Sequence, residues 1–225
     1  MVLSRAGVSR NFQEEDYIAK LIRRGDLLHI PTGVGWTEAV VGTGVTTSGI
    51  SVLSGTTGVN VNSSALRRVS LLGFTNGVAN PYRLDWDKKL RLLFKLYSAG
   101  EDSECVRRLQ IKEATTIGAL GALGLGIRMD NFALVGESYG TEIGELALAT
   151  LVVSPLYQIE IIHYPGSKIE WYVDDVLKGT QSTSAKIPSG DAGNTTTMML
   201  SIKNGATGGA SCSLWMMHPK IWQER

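Results

Sequence analysis

The chain has 225 residues, and its 22 basic and 21 acidic side chains leave a formal charge of +1. That length suits one large domain or two small ones, and is enough to bury a core without covalent staples. With only 19% of residues charged, there is no electrostatic case for a nucleic-acid groove or a polybasic membrane surface, so neither nucleic acid nor membrane insertion is expected. The 26 glycines, about 12% where the average is near 7%, stand beside only 6 prolines and 43% hydrophobic residues. That balance predicts many tight turns between packed segments rather than a linker.

In chain order, Met1 to Arg10 carries Arg5 and Arg10 but no apolar core of a secretion signal. The one helical pattern follows over 12–24, where Tyr17, Ile18, Leu21 and Ile22 recur at three- and four-residue spacing. Asn11 can cap it, Glu14 stands in capping-box position and Gly25 can end it. Residues 1–25 are therefore expected to form a short helical arm that packs on the main domain or reaches a neighbouring subunit.

From residue 26 to 225 the period becomes two. In 89–97, Leu90, Leu92, Phe94 and Leu96 alternate with Lys89, Arg91 and Lys95, the pattern of a half-buried strand. Similar alternation marks Leu109 and Ile111, Leu125 to Met129, Tyr157 to Ile161, Ile169 to Val173, Met198 to Ile202, and Cys212 to Met216. Clusters rich in Gly, Ser, Thr, Asn or Asp separate most of them, including Gly73 to Gly77, Pro165-Gly166 and Ser189 to Asn194. Ten or so short strands at this spacing predict an all-β sandwich or barrel in one domain. Gly118, Gly121, Gly124 and Gly126 lack the lysine of a phosphate loop and read as close strand packing. The basic residues Lys88, Lys89, Arg91 and Lys95 read as the solvated side of a sheet. Trp171, in phase with Ile169 and Val173, reads as core.

Cys105 and Cys212 are far apart and form no C-x-x-C pair; two buried thiols are the plain expectation and a disulfide the alternative. The glycosylation patterns at Asn62 and Asn194 read as turn residues. The histidines His29, His163 and His218 share no ligand spacing, and no metal site or cofactor is expected.

Two strings invite chemistry. Gly136-Glu137-Ser138-Tyr139-Gly140 is a literal G-x-S-x-G, with Asp174 or Asp175 and His218 following in the chain order of a serine hydrolase. The alternating helices and parallel strands of that fold are missing before Ser138, however. The competing expectation is a hairpin whose loop is bracketed by Gly136 and Gly140, between strands 131–135 and 145–151. Tyr172-Val173-Asp174-Asp175 resembles the Y-x-D-D hairpin of reverse transcriptases. In so short and β-rich a chain it reads instead as a two-residue turn joining 169–173 to 176–180.

Lys168-Ile-Glu-Trp-Tyr-Val-Asp-Asp-Val-Leu-Lys-Gly179 resembles the strand, turn and strand of laminin-G-like modules. Ile187-Pro-Ser-Gly190, Met198-Met-Leu-Ser-Ile-Lys-Asn204 and a closing apolar strand follow it, and Leu84 to Phe94 fits an earlier strand. Over 27–225 the chain thus resembles the concanavalin A-like lectin and glucanase jelly roll, with Asp175 standing where glycine is usual. The resemblance implies a two-sheet antiparallel sandwich. Family-16 glucanases carry E-x-D-x-E on one strand; Glu101, Asp102 and Glu104 come nearest and miss that spacing. Legume-lectin metal ligands have no counterpart either, so no catalytic, cofactor-binding or metal-binding residue is expected.

The resemblance extends to concanavalin-like domains of phage and virus particles, which share the short arm, the Gly, Ser and Thr richness and the lack of a signal peptide. It implies a non-enzymatic virion structural protein, capsid-decorating or fibre-like. Such a protein would assemble with its own copies and other virion proteins through sheet edges, with glycan binding as a further use. A carbohydrate-binding module or inactive glucanase relative is the alternative, and a serine hydrolase using Ser138 the third reading.

Overall fold

The computed structural model describes residues 27–30, 36–41, 44–47, 51–56, 66–75, 84–99, 105–113, 120–152, 155–190, 195–203 and 211–224. The helical arm expected over 1–25 and the asparagines 62 and 194 lie outside these residues. The strands are β1 (Leu27–Ile30), β2 (Trp36–Val41), β3 (Gly44–Thr47), β4 (Ser51–Thr56), β5 (Leu66–Thr75), β6 (Leu90–Ala99), β7 (Val106–Lys112) and β8 (Gly124–Asp130). They continue with β9 (Ala133–Tyr139), β10 (Ile143–Thr150), β11 (Tyr157–Tyr164), β12 (Lys168–Val173), β13 (Val176–Gln181), β14 (Thr195–Lys203) and β15 (Ser211–Glu224).

They form two antiparallel sheets. One has the order β13-β12-β11-β6-β15-β4-β3, with β1 also paired to β15; the other runs β10-β9-β8-β7-β14-β5-β2. The topology interleaves distant parts of the chain, since β6 lies between β11 and β15 and β14 between β7 and β5. The all-β class expected from the alternation, and the two antiparallel sheets that the resemblance implies, are what the described residues show.

Period-two patterning explains the core. Leu90, Leu92, Phe94 and Leu96 of β6 are buried, as are Ile159, Ile161, Ile169 and Trp171 beside them. From the other sheet Leu109, Ile111, Leu125, Ile127, Met198 and Leu200 face them in the same cluster. Full burial of each such side chain is worth about 1.5–3 kcal/mol, and a one-residue slip of any strand would turn its apolar set to the wrong side.

Trp171 ties the sheets together. Its indole Nε1 donates to the Gly126 carbonyl across the sandwich at 3.0 Å. The space for its ring is made by Gly136, where an added Cβ would stand 2.7 Å from Trp171 Cε2. Gly124 and Gly126 perform the close packing expected of them: a Cβ on Gly126 would lie 2.1 Å from the Leu109 carbonyl oxygen and one on Gly124 2.6 Å from that of Ile111, both backbone atoms. Gly121 differs, with nothing within 4 Å, and Gly118 lies outside the described residues.

Trp86 and His163 close one end of the core, edge to face with ring centroids 5.8 Å apart. Trp86 Nε1 donates to Glu113 at 3.0 Å, and His163 Nε2 lies 2.9 Å from the Pro188 carbonyl. Burial pushes the His163 pKa down, against the Pro188 and Lys88 carbonyls and the charge of Asp87.

Two expectations are corrected. Cys105 is fully buried and disulfide-bonded, not a free thiol; the chain's other cysteine is Cys212, in β15. The G-x-S-x-G segment does form part of a hairpin, but Gly136 lies inside β9, which continues to Tyr139, and β10 begins at Ile143, so the loop is only residues 140–142. Gly136 marks the seat of Trp171, not a turn.

Candidate functional site

Of the residues singled out for chemistry, Ser138 lies in β9 of the seven-stranded sheet and Asp174 and Asp175 at the turn between β12 and β13 of the other sheet, while residues 101, 102 and 104 and the side chain of His218 lie outside the description. Ser138 is fully buried in the middle of β9, in register with Leu125 and Gly144, and its Oγ has no hydrogen-bond partner. It faces the core from a strand paired on both sides, so neither the strand-to-helix elbow nor an exposed hydroxyl exists. Asp174 and Asp175 form the expected two-residue turn between β12 and β13, with φ of 49° and 63°. Gln158 explains how aspartate holds the place usual for glycine. Its backbone N–H donates to Asp174 Oδ1 at 2.8 Å and its side chain to Asp175 Oδ1 at 2.9 Å, while its carbonyl accepts from the Asp174 N–H at 2.8 Å. These bonds offset the cost of the left-handed conformation. Among the described residues, no three His, Cys, Asp or Glu side chains converge as metal ligands.

The polar groups that do converge lie on the outward faces. On β6, β11 and β12 the phase opposite to the core places Arg91, Leu93 and Lys95, Glu160, Ile162 and Tyr164, and Lys168, Glu170 and Tyr172 on the outer side of the eight-stranded sheet. Of the basic residues read as a solvated sheet side, Lys95 is exposed as expected, whereas Arg91 is part-buried and partnered. Arg91 pairs with Glu160 and its guanidinium lies 5.4 Å from the Trp222 ring.

Beside them, Glu170 accepts from Lys168 Nζ at 2.6 Å and from the Tyr172 hydroxyl at 2.8 Å. Lys89 Nζ and Lys168 Nζ each lie 4.9 Å from the centre of the Tyr164 ring. Burial alone would raise the Glu170 carboxyl, but the bonds from Lys168 and Tyr172 and the lysine charge outweigh it and hold the group below its ordinary value. Tyr172 is pushed well above the ordinary phenol range, by burial first and then by its bond to ionised Glu170. Tyr172 pairs with Leu177 of β13, which is 48% exposed, so an apolar ledge borders this polar set.

The outer side of the seven-stranded sheet carries a second cluster. Gln110 of β7 and Glu137 of β9 flank Gly126 of β8 in register. Because Gly126 has no side chain, the two meet above it: Gln110 Nε2 donates to Glu137 Oε2 at 2.6 Å. Arg128 Nη1 donates to Glu137 Oε1 at 3.1 Å and to Glu145 Oε1 at 2.5 Å, and Arg128 Nε to Asp130 at 2.7 Å. Arg108 Nε reaches Glu137 at 3.4 Å. Burial would lower the Arg128 pKa, yet the bond to Glu145 and the charges of Asp130, Glu137 and Glu145 raise it above the ordinary arginine value. Glu137 is fully buried while Glu145 is 43% exposed at its side chain, so this network opens to solvent only at its rim.

Neither cluster was named from the sequence. The available signal was phase: Glu137 alternates with buried Leu134, Gly136 and Ser138, as Glu170 does with Ile169 and Trp171. The partners, however, come from strands brought together only by the sheet.

No family model and no curated protein matches the chain. Among solved structures, the carbohydrate recognition domain of Emp47p is similar over 89% of this chain and 97% of its own, with a TM-score of 0.55 and 12% identity. Endo-β-1,4-glucuronan lyase from the fungus Trichoderma reesei is similar over 85% of this chain and 89% of its own, with a TM-score of 0.55 and 12% identity. A sialidase is similar over 83% of this chain with a TM-score of 0.50 and 11% identity, and the chain spans only 17% of its length. At these identities the likeness is one of fold. The sandwich is the concanavalin A-like jelly roll that the sequence resembles.

Proposed function

We propose that the chain is a non-catalytic glycan-recognition module, reading sugars on the outward face of its eight-stranded sheet and displayed on an assembled particle. The observation that carries this reading is the ledge of Tyr172 and Leu177 beside Glu170, Lys168 and Tyr164, held together by charge-assisted bonds. A sugar ring has an apolar C–H face and a rim of hydroxyls, so it suits a half-exposed aromatic side chain next to fixed donors and acceptors. Groups already locked by one another lose little freedom on binding. The solved structures similar in fold include the carbohydrate recognition domain of Emp47p, which is in keeping with this use of the fold.

The non-catalytic part is supported by two observations. The Glu137 and Glu145 carboxylates share one guanidinium nitrogen of Arg128, so a cation occupies the space where the oxygen of a scissile bond and its water would have to sit. Ser138 is buried with no exposed face. The particle setting rests on the sequence: near-neutral charge, Gly- and Thr-rich turns, and resemblance to virion domains.

A panel of immobilised glycans, followed by calorimetry on the best ligand, tests the recognition. Tyr172→Ala is expected to weaken binding about tenfold, while Tyr172→Phe, which keeps the ring, loses less. Absence of binding to every glycan, or unchanged binding in Tyr172→Ala, would overturn the reading. Light scattering after size-exclusion chromatography tests assembly; a strict monomer counts against display through contacts between copies.

A further inference from the structure

We infer that the sugar read by this face carries an anionic group, a carboxylate or a sulfate, and that Lys89 receives it beside the Tyr164 ring. The inference rests on the glycan reading above and deepens it. Both acids on the strands that build the site are already committed: Glu170 accepts from Lys168 and Tyr172, and Glu160 is paired with Arg91. The cations are not committed in the same way. Lys168 Nζ is tied to Glu170, but Lys89 Nζ has no carboxylate partner among the described residues and rests only against Tyr164, 4.9 Å from its centre.

Lys95 and Lys220 are exposed on β6 and β15, where Lys220 pairs with Leu93 in the outward phase. Counting the described residues of this face, Lys89, Arg91, Lys95, Lys168 and Lys220 stand against Glu160, Glu170 and Glu224. On this side the strands thus carry two more positive than negative charges, 5 − 3, and Lys89 is among the cations outside the Arg91–Glu160 and Lys168–Glu170 pairs. A neutral sugar would leave the Lys89 ammonium without an acceptor of opposite charge. An anionic one supplies it at a spot where the Tyr164 ring already holds the ammonium in place.

The test uses three polymers on the full chain: polygalacturonate for carboxylate, dextran sulfate for sulfate, and unmodified dextran. Binding is read by calorimetry at about 0.05 and about 0.3 M salt. One or both anionic polymers are expected to bind and dextran to bind at least tenfold more weakly. Lys89→Gln is expected to lose about tenfold in affinity for the anionic ligand, whereas Lys178→Gln, which removes the same charge from exposed β13, keeps wild-type affinity. Equal losses in the two variants would show diffuse attraction only and overturn the inference. So would dextran binding as tightly as the charged polymers, although glycan recognition itself would then stand. If none of the three binds and no other glycan does, both fall. Circular dichroism of Lys89→Gln matching wild type ensures that a loss reports on binding and not on folding.

Discussion

Replacing Gly126 by alanine puts one methyl group at the point where the fold is tightest. The new Cβ would stand 2.1 Å from the Leu109 oxygen, 2.8 Å from Gln110 Cα and 3.0 Å from the Leu109 carbonyl carbon. All three are backbone atoms of β7, so no flexible side chain can swing aside, and β7 and β8 must separate. Overpacking of this kind costs about 1–3 kcal/mol. The separation also strains the Trp171 bond to the Gly126 carbonyl and the Gln110 bond to Glu137 across it, each worth about 1 kcal/mol or more. Taking the lower end of each range, the sum is about 3 kcal/mol. With a urea slope of about 3 kcal/mol/M for a domain of this size, the unfolding midpoint should fall by about 1 M. Gly121→Ala is the control, because its Cβ meets nothing within 4 Å, and it should stay within about 0.5 kcal/mol of wild type. Tryptophan fluorescence and circular dichroism followed through the same urea series would establish whether unfolding is two-state. A Gly126→Ala protein as stable as Gly121→Ala would refute the claim that β7 and β8 approach too closely for any side chain.

Other consequences are as direct. Reduction of the disulfide at Cys105, or Cys105→Ser, should lower stability by about 4–5 kcal/mol if the closed loop is on the order of 100 residues; identical urea curves with and without reductant would contradict it. Glu137→Ala should cost about 1–3 kcal/mol by leaving buried Gln110 Nε2 without its acceptor, but Glu145→Ala at the exposed rim no more than about 1 kcal/mol, and a reversed order in chemical denaturation would refute the burial argument. A fluorophosphonate probe should leave Ser138 unlabelled; labelling abolished by Ser138→Ala would restore the hydrolase reading. The Glu170 carboxyl, held below its ordinary 4.5, contributes stability that is complete above that value and fades as pH falls through the lower folded value. Tyr172 is raised above its ordinary 10.0, so it stays protonated in the folded chain after it ionises in the unfolded one. Stability should therefore also fall with rising pH above about 10, and Tyr172→Phe should flatten this alkaline limb in thermal melts.

The strands were legible because burial on one side imposes a period of two, and that period survives in the order of residues. Leu90 to Leu96, Ile169 to Val173 and the Pro165-Gly166 break all lie where the alternation placed them. The Asp174-Asp175 turn was legible too, although its anchor, Gln158, was not. The G-x-S-x-G string shows the limit. Its glycines were read as turn residues, yet Gly136 is needed because Trp171, thirty-odd positions later, occupies the space its side chain would fill. A glycine required by a distant neighbour looks the same in sequence as one required by local backbone geometry.

The same limit applies to the polar clusters. Alternation by itself determined that Glu137, Arg128, Glu170 and Lys168 stand in the phase opposite to the core, and composition determined that the chain folds as packed strands without a strong overall field. Only the tertiary structure decided which of these groups meet. Arg91 and Glu160 are 69 positions apart and Gln110 and Glu137 27 apart, because β6 is inserted beside β11 and Gly126 opens the gap between β7 and β9. Strand phase is a local property set by each residue's own side of the sheet. The identity of a partner depends on strand order, which the hydrogen-bonded sheet fixes and a linear pattern does not contain.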